Sequence, residues 1–247
     1  MTDNKIQNID NTKKNFLKFS WNRALRPSYK IAFSGIMLAL AIILSIVSTF
    51  LKFTSFLSFN LSLVPIFIVF TYIGLNFALV VSFSRFLIVP LISSAITMNA
   101  GIGIEYLGNF IVFVSQLFFF GFFYLLYRVV NWAEISSPLI KVLLLMILSA
   151  LAVSIIMPIL NTFLFNLIYF YMLSLIKSFS LNELANSYDN SFKYFFLGIP
   201  NYYMGSFTVY FIFNLANILI NCIIIYIFIT WEYKTNFIYK ISSKNTY

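Results

Sequence analysis

The residues whose type and spacing point most directly to chemistry are three carboxamides, Asn214, Asn217 and Asn221. At 100° per residue they share an arc of roughly 60° on one helix face. The stretch around them, 209–229, is otherwise almost wholly apolar. A carboxamide stranded in hydrocarbon is costly, so the stripe has to face protein, water or a ligand. Further polar groups sit in equally apolar surroundings: Arg85, Glu105 with Asn109 one turn on, and Asn161 with Thr162 just after Pro158. Tyr169 follows two turns beyond Asn161. Together these groups offer hydrogen bonds and very little charge, which suits recognition better than bond-breaking.

Catalytic and metal-binding devices are missing from the sequence. There is no histidine and the lone cysteine is Cys222, so His/Cys metal sites, an internal disulfide and Ser-His-Asp or Cys-His catalysis are all excluded. Nothing resembles a G-x-x-x-x-G-K-[ST] nucleotide loop, and no paired acids lie inside an apolar run as an ion-driven pump often requires. If the chain transports something, the energy comes from elsewhere.

The elements that position these groups are membrane helices. Of the 247 residues 61% are hydrophobic and only 9% charged, against about 25% in a soluble domain. Mean hydropathy is +0.92. The apolar runs are continuous rather than alternating, which argues against a β-barrel. The expected architecture is all-α, with a basic tail over 1–29, a six-helix membrane domain over 30–230 and a short tail over 231–247. The spans are expected at 31–51, 61–72, 77–96, 107–127, 142–176 and 209–229, the second carrying Pro65 and the fifth bent near Pro158. The second and third form a hairpin turned at Gly74.

Basic residues set the expected orientation. With the N-terminus inside, Lys5, Lys13, Lys14, Lys18, Arg23, Arg26, Lys30, Arg128, Lys141, Lys234, Lys240 and Lys244 are cytoplasmic, while Lys52, Lys177 and Lys193 lie outside. Trp21, Trp132 and Trp231 fall at inner ends of spans, as interfacial anchors would. The net charge of +9 thus orients the chain in a bilayer, and nucleic acid is not expected as a partner.

Each candidate admits a plain reading. Gly35 and Ala39 form a small-xxx-small pair, which serves either packing within the molecule or docking of another subunit. Arg85 either has a function or snorkels to an aqueous end. Glu105 suits the start of a helix through the helix dipole. Asn161 and Thr162 either line a cavity or satisfy carbonyls freed at Pro158. The asparagine stripe either binds a ligand or ties helices together.

Read as an ordered set, these segments resemble the substrate-binding S components of energy-coupling factor (ECF) vitamin transporters, closest to the riboflavin-specific branch. The stretch 31–45, with Gly35 and Ala39, is similar to the first-helix motif that contacts the transmembrane coupling subunit. Phe59-Asn60-Leu61-Ser62-Leu63-Val64-Pro65 resembles the first-loop aspartate-aromatic-serine-x-x-proline pattern, with Asn60 in place of the acid, and Gly74 matches the glycine-proline turn with Leu75 replacing proline. The segment 101–110, with Gly101, Gly103, Glu105, Asn109 and Phe110, resembles G-x-G-E-x-x-N-F with one extra residue before the glutamate. Asn161 and Tyr169 resemble an asparagine-to-tyrosine block in which Leu167 stands for a proline. Phe213-Asn214-Leu-Ala-Asn217 resembles P-F-N-x-x-K, with Asn217 in place of lysine. The likeness covers about residues 31 to 230.

The resemblance implies a multi-pass protein of a bacterial cell membrane that captures a small vitamin, riboflavin or a related flavin first. It implies no resident cofactor and no enzymatic activity. Asn60, Asn109, Asn161, Tyr169, Asn214 and Asn217 would meet the ligand, with Asn60 in a loop that caps it. Gly35 and Ala39 would dock the coupling subunit, which works with two ATPases. An S component for folate or a nucleobase-like compound, and a permease or scaffold without ECF partners, are the alternative readings.

Overall fold

The computed structural model describes residues 25–54, 56–97, 101–130 and 137–238. Residues 1–24, which include Trp21, and Trp132, Lys240 and Lys244 lie outside them, and the last residues of the expected tail already belong to the first helix. The regular elements of the described residues are all helical, and an isolated bridge joins Lys52 and Ser58 in a connection. In chain order it forms α1 (Pro27–Ser48), α2 (Leu63–Tyr72), α3 (Leu75–Thr97), α4 (Ile102–Val130) and α5 (Pro138–Leu160). A π turn, Asn161–Phe165, continues α5 into α6 (Asn166–Met172). Two short helices, α7 (Leu181–Asn186) and α8 (Tyr188–Ser191), and a 3₁₀ turn, Lys193–Phe196, precede α9 (Tyr202–Thr235).

Five helices are long and apolar enough to cross a bilayer: α1, α3, α4, the continuous α5–π–α6 rod of 35 residues, and α9. The second expected span differs. It is a helix of 10 residues, about 15 Å long, well short of the ~20 residues a bilayer requires. Its limits are local. Pro65 in the first turn has no N–H to extend a helix ladder, and at the other end Gly74 adopts φ 127°, a conformation closed to side chains that bear a Cβ. The hairpin turn at Gly74 falls where the sequence places it. Leu63 through Thr71 are all buried, so α2 is enclosed by the other helices rather than by lipid.

The core around α2 is aromatic. Phe67 and Phe70 pack with Phe119, Phe120 and Phe123 of α4, with Phe67 and Phe123 edge-to-face at 5.2 Å. A second cluster closes the opposite end of the rod. There Phe170 of α6 stacks on Phe192 at 4.5 Å, flanked by Tyr188, Phe196 and Tyr202.

Two further boundaries shift from expectation. The last helix starts at Tyr202 rather than near 209, because Asn201 caps it: its Oδ1 accepts from the amides of Tyr203 and Met204 at 2.9 and 3.2 Å. It runs on to Thr235, ending where Asn236 turns left-handed at φ 51°. At 34 residues it is about 51 Å long and stands clear of the hydrocarbon at its ends. The expected tail at 231–235 is therefore helical. The segment before α9 is likewise ordered, and Glu183 organises it by accepting from the amides of Lys177 and Ser178 at 2.6 and 2.8 Å. Its bond from the Ser178 hydroxyl, with these amides, holds the Glu183 carboxyl below the usual carboxylate range.

Candidate functional site

The connection 49–62 dips back toward the middle of α9 instead of staying at the surface. Irregular backbone at that depth survives only where protein satisfies its amides and carbonyls. Asn217 Oδ1 accepts the Asn60 N–H at 2.8 Å, and Asn221 Nδ2 donates to the Asn60 carbonyl at 2.8 Å. One residue on, the Leu61 N–H donates to Ser48 Oγ at 3.1 Å. Two asparagines of the stripe thus hold one loop residue by both faces of its backbone.

From Asn60 a buried chain of hydrogen bonds crosses the bundle. The Asn60 Oδ1 accepts from both the amide and the hydroxyl of Ser62. The Ser62 Oγ accepts from Gln116 Nε2 at 2.9 Å, and Gln116 Oε1 accepts from Ser82 Oγ at 2.6 Å. Ser62 is the serine of the first-loop pattern, whereas Gln116 is not singled out by the sequence. Gln116 lies seven residues, two helical turns, beyond Asn109 in an otherwise apolar run, and that spacing is the signal that could have found it.

Pro158 and the π turn shape the second polar cluster. Proline removes one amide from the ladder, and two turns later the Asn166 amide bonds the Asn161 carbonyl in a widened turn. Thr162 and Asn166 then both face α9. Thr162 Oγ1 shares a hydrogen bond with Ser206 Oγ at 2.8 Å, and Asn166 Nδ2 donates to Ser206 Oγ at 2.9 Å. The Tyr202 hydroxyl donates to the Thr162 carbonyl at 2.7 Å, and the Tyr210 hydroxyl donates to Asn166 Oδ1. Carbonyl satisfaction and helix tying are therefore the work of Thr162, Asn166 and Tyr202.

Asn161 stands apart from this cluster. It is 3% exposed, yet among the described residues nothing hydrogen-bonds its side chain. Asn214, also buried, donates to the carbonyl of Tyr210 in its own helix at 2.7 Å, and its Oδ1 has no partner among the described residues. Aromatic rings of the dipping loop lie close by. Phe59 stacks on Phe213 at 5.8 Å, and Phe56 meets Tyr169 at 6.5 Å and Tyr210 at 6.3 Å. Tyr169 is half-buried at this aromatic edge.

The remaining candidates lie elsewhere. Asn109 is engaged at both ends of its amide: Oδ1 accepts from Arg85 Nη2 at 2.6 Å and Nδ2 donates to the Glu105 carbonyl at 3.0 Å. Glu105, in the first turn of α4, accepts from Ser93 Oγ of α3 at 2.7 Å. Arg85 does not snorkel and is fully buried. Gly35 and Ala39 are exposed on the outer face of α1, and a Cβ at Gly35 would meet nothing within 4 Å.

The fold is that of a polytopic helical membrane protein, its interior threaded by hydrogen-bonding side chains and closed by an aromatic loop. The family model of the ECF transporter substrate-specific component matches residues 29–229, and the chain belongs to that family. It is similar to an uncharacterized protein of Mycoplasma pneumoniae, the MG350.1 homolog, with 29% identity over 197 residues, covering 75% of this chain and 79% of that one. No solved structure matches. Proteins of this family bind substrate for transport and are not enzymes, and they generally pair with coupling and ATPase subunits.

Proposed function

We propose that this chain captures a small vitamin, riboflavin or a related flavin first, at the outer face of a bacterial cell membrane. It delivers the ligand inward when a transmembrane coupling subunit and two ATPases drive the cycle. Both tails lie on the cytoplasmic side, which requires α2, enclosed by its neighbours, to complete the sixth crossing. The distribution of basic residues supports this orientation.

The observation that carries the reading is the Asn161 carboxamide. It is buried with no protein partner among the described residues, while Thr162 and Asn166 beside it are engaged. That leaves the amide's donors and acceptor open to a ligand's own hydrogen-bonding groups. The Asn214 Oδ1 offers a second such group. An isoalloxazine edge alternates donors and acceptors that carboxamides match without charge, and the rings of Phe56, Tyr169 and Tyr210 supply apolar walls. Asn60 and Asn217, locked together, set the position of the loop that closes the site.

Purification followed by a visible spectrum tests the ligand. Co-purified flavin colours the protein yellow, or added riboflavin loses fluorescence on binding. A colourless protein that quenches no riboflavin fluorescence defeats the flavin reading. Capture of a membrane partner with two ATPases by the tagged chain tests the transporter assembly separately, and its failure would favour a stand-alone permease or scaffold.

A further inference from the structure

Arg85 sits within α3 on the side facing α1 and α4, with 0% of its surface exposed. A guanidinium carries five N–H donors and keeps its charge in proteins. Here Nε donates to Ser45 Oγ at 2.8 Å and Nη2 to Asn109 Oδ1 at 2.6 Å, and both partners are neutral. Nη1 is buried and bonded to nothing. The Glu105 carboxylate, one turn from Asn109 on α4, accepts from Ser93 Oγ at 2.7 Å.

An intramembrane arginine normally finds an acid, a carbonyl or an aqueous end. This one is instead fixed in orientation, because Asn109 is itself anchored to the Glu105 carbonyl at 3.0 Å. The next residue of α4, Phe110, meets Phe165 of the π turn at 6.2 Å, so α4 links Asn109 to the element that carries Asn161. A fixed guanidinium with a vacant, buried N–H pair matches an oxyanion.

We propose that Arg85 is an anion-binding point for the transported molecule, with Nη1 donating to a carboxylate or phosphate oxygen. This rests on the reading of the chain as a substrate-capture subunit and narrows the cargo to compounds bearing an anionic group. Among flavins it selects riboflavin 5′-phosphate over riboflavin itself.

The test is a thermal-shift and titration series on the purified full chain with matched pairs. The pairs are riboflavin 5′-phosphate and riboflavin, nicotinate and nicotinamide, biotin and its methyl ester, and pantothenate and panthenol. The expected result is one pair whose anionic member binds at least tenfold tighter, with the preference lost in Arg85→Gln. Because Arg85→Gln removes a buried group and can impair folding, Asn109→Asp serves beside it. That change places an internal counter-charge on the guanidinium, and it is expected to keep the fold while reducing the preference below twofold. Equal binding of a neutral member, binding of no member, or a preference that survives in Asn109→Asp overturns the proposal. Stabilisation by phosphatidylglycerol micelles that Arg85→Gln abolishes, without preference in any pair, overturns it in favour of a lipid headgroup. Riboflavin binding without anion preference sinks this inference alone, whereas failure to capture the coupling subunit sinks the underlying reading.

Discussion

The Asn60 amide donates to the Asn217 side chain at 2.8 Å, joining residues 157 positions apart in the middle of the bundle. The bond fixes how deeply the loop between α1 and α2 enters the membrane. The Asn221 bond to the Asn60 carbonyl secures the same residue from its other face.

Removing this clamp has unequal costs. Asn217→Leu strands a backbone N–H in the interior and is expected to destabilise the protein by about 1–3 kcal/mol. Asn221→Leu is expected to cost less, because the Asn221 Oδ1 is already buried without a partner and its removal relieves that cost. Thermal melting in detergent gives the order, and hydrogen exchange at Asn60 should rise in both variants. Equal melting temperatures for Asn217→Leu and wild type would show that the clamp contributes nothing.

Asn214 separates binding from stability. Its one hydrogen bond goes to its own helix, so Asn214→Leu should leave the melting temperature nearly unchanged. Affinity for the ligand, measured by fluorescence quenching, should fall at least tenfold, about 1.4 kcal/mol. Unchanged affinity in the folded variant removes Asn214 from the site.

Two glycines should behave in opposite ways. A Cβ at Gly205 would lie 2.5 Å from the Tyr188 Oη and 3.2 Å from the Phe196 Cβ, so Gly205→Ala should destabilise the packing of α9 on the segment before it by roughly 1–3 kcal/mol. Tyr188→Phe removes the nearer atom, along with a 2.8 Å bond to the Ile199 carbonyl, and the double variant should be less destabilised than the sum of the two. At Gly35 there is open space, so Gly35→Leu should melt like wild type and yet lose co-purification with the coupling subunit. Retained assembly would remove Gly35 and Ala39 from the docking surface.

The segment before α9 should loosen in acid. The Ser178 hydroxyl and the amides of Lys177 and Ser178 hold the Glu183 carboxyl below the usual carboxylate range in the folded protein. A depressed folded pKa gives stabilisation that is complete above the unfolded value and lost as pH falls through the lower one. Limited proteolysis near 178–187 should therefore stay constant from neutral pH to about 5 and accelerate below about 4. Glu183→Ala should be cleaved readily at every pH.

Much of this arrangement was legible in the sequence because local signals agreed. The hairpin at Gly74 shows a glycine between two apolar runs, and it demands a positive φ. The last helix starts earlier than the sequence suggests because the stretch 202–206 contains two tyrosines and a serine and reads as loop, while its cap, Asn201, acts through a side-chain oxygen whose two backbone amides show only in three dimensions. The α5–π–α6 rod hid Asn166, since a widened turn adds a residue and breaks the 3.6 period on which face assignments rest. The stripe of Asn214, Asn217 and Asn221 was visible as a polar seam. That Asn217 and Asn221 turn to a loop backbone depends on the depth of residues 52–60, which hydropathy along one dimension does not encode.

The brevity of α2 also bears on how the protein is made. Ten residues are too few to be retained in a bilayer as an independent segment during synthesis, and their apolar side chains have no lipid to meet in the finished molecule. The helix must enter together with α3, as a preformed hairpin turned at Gly74, and wait for α4 to supply its aromatic partners. Biogenesis therefore passes through an intermediate in which Phe67 and Phe70 are uncovered. A chain truncated before Phe119 should be the form most prone to capture by membrane quality control.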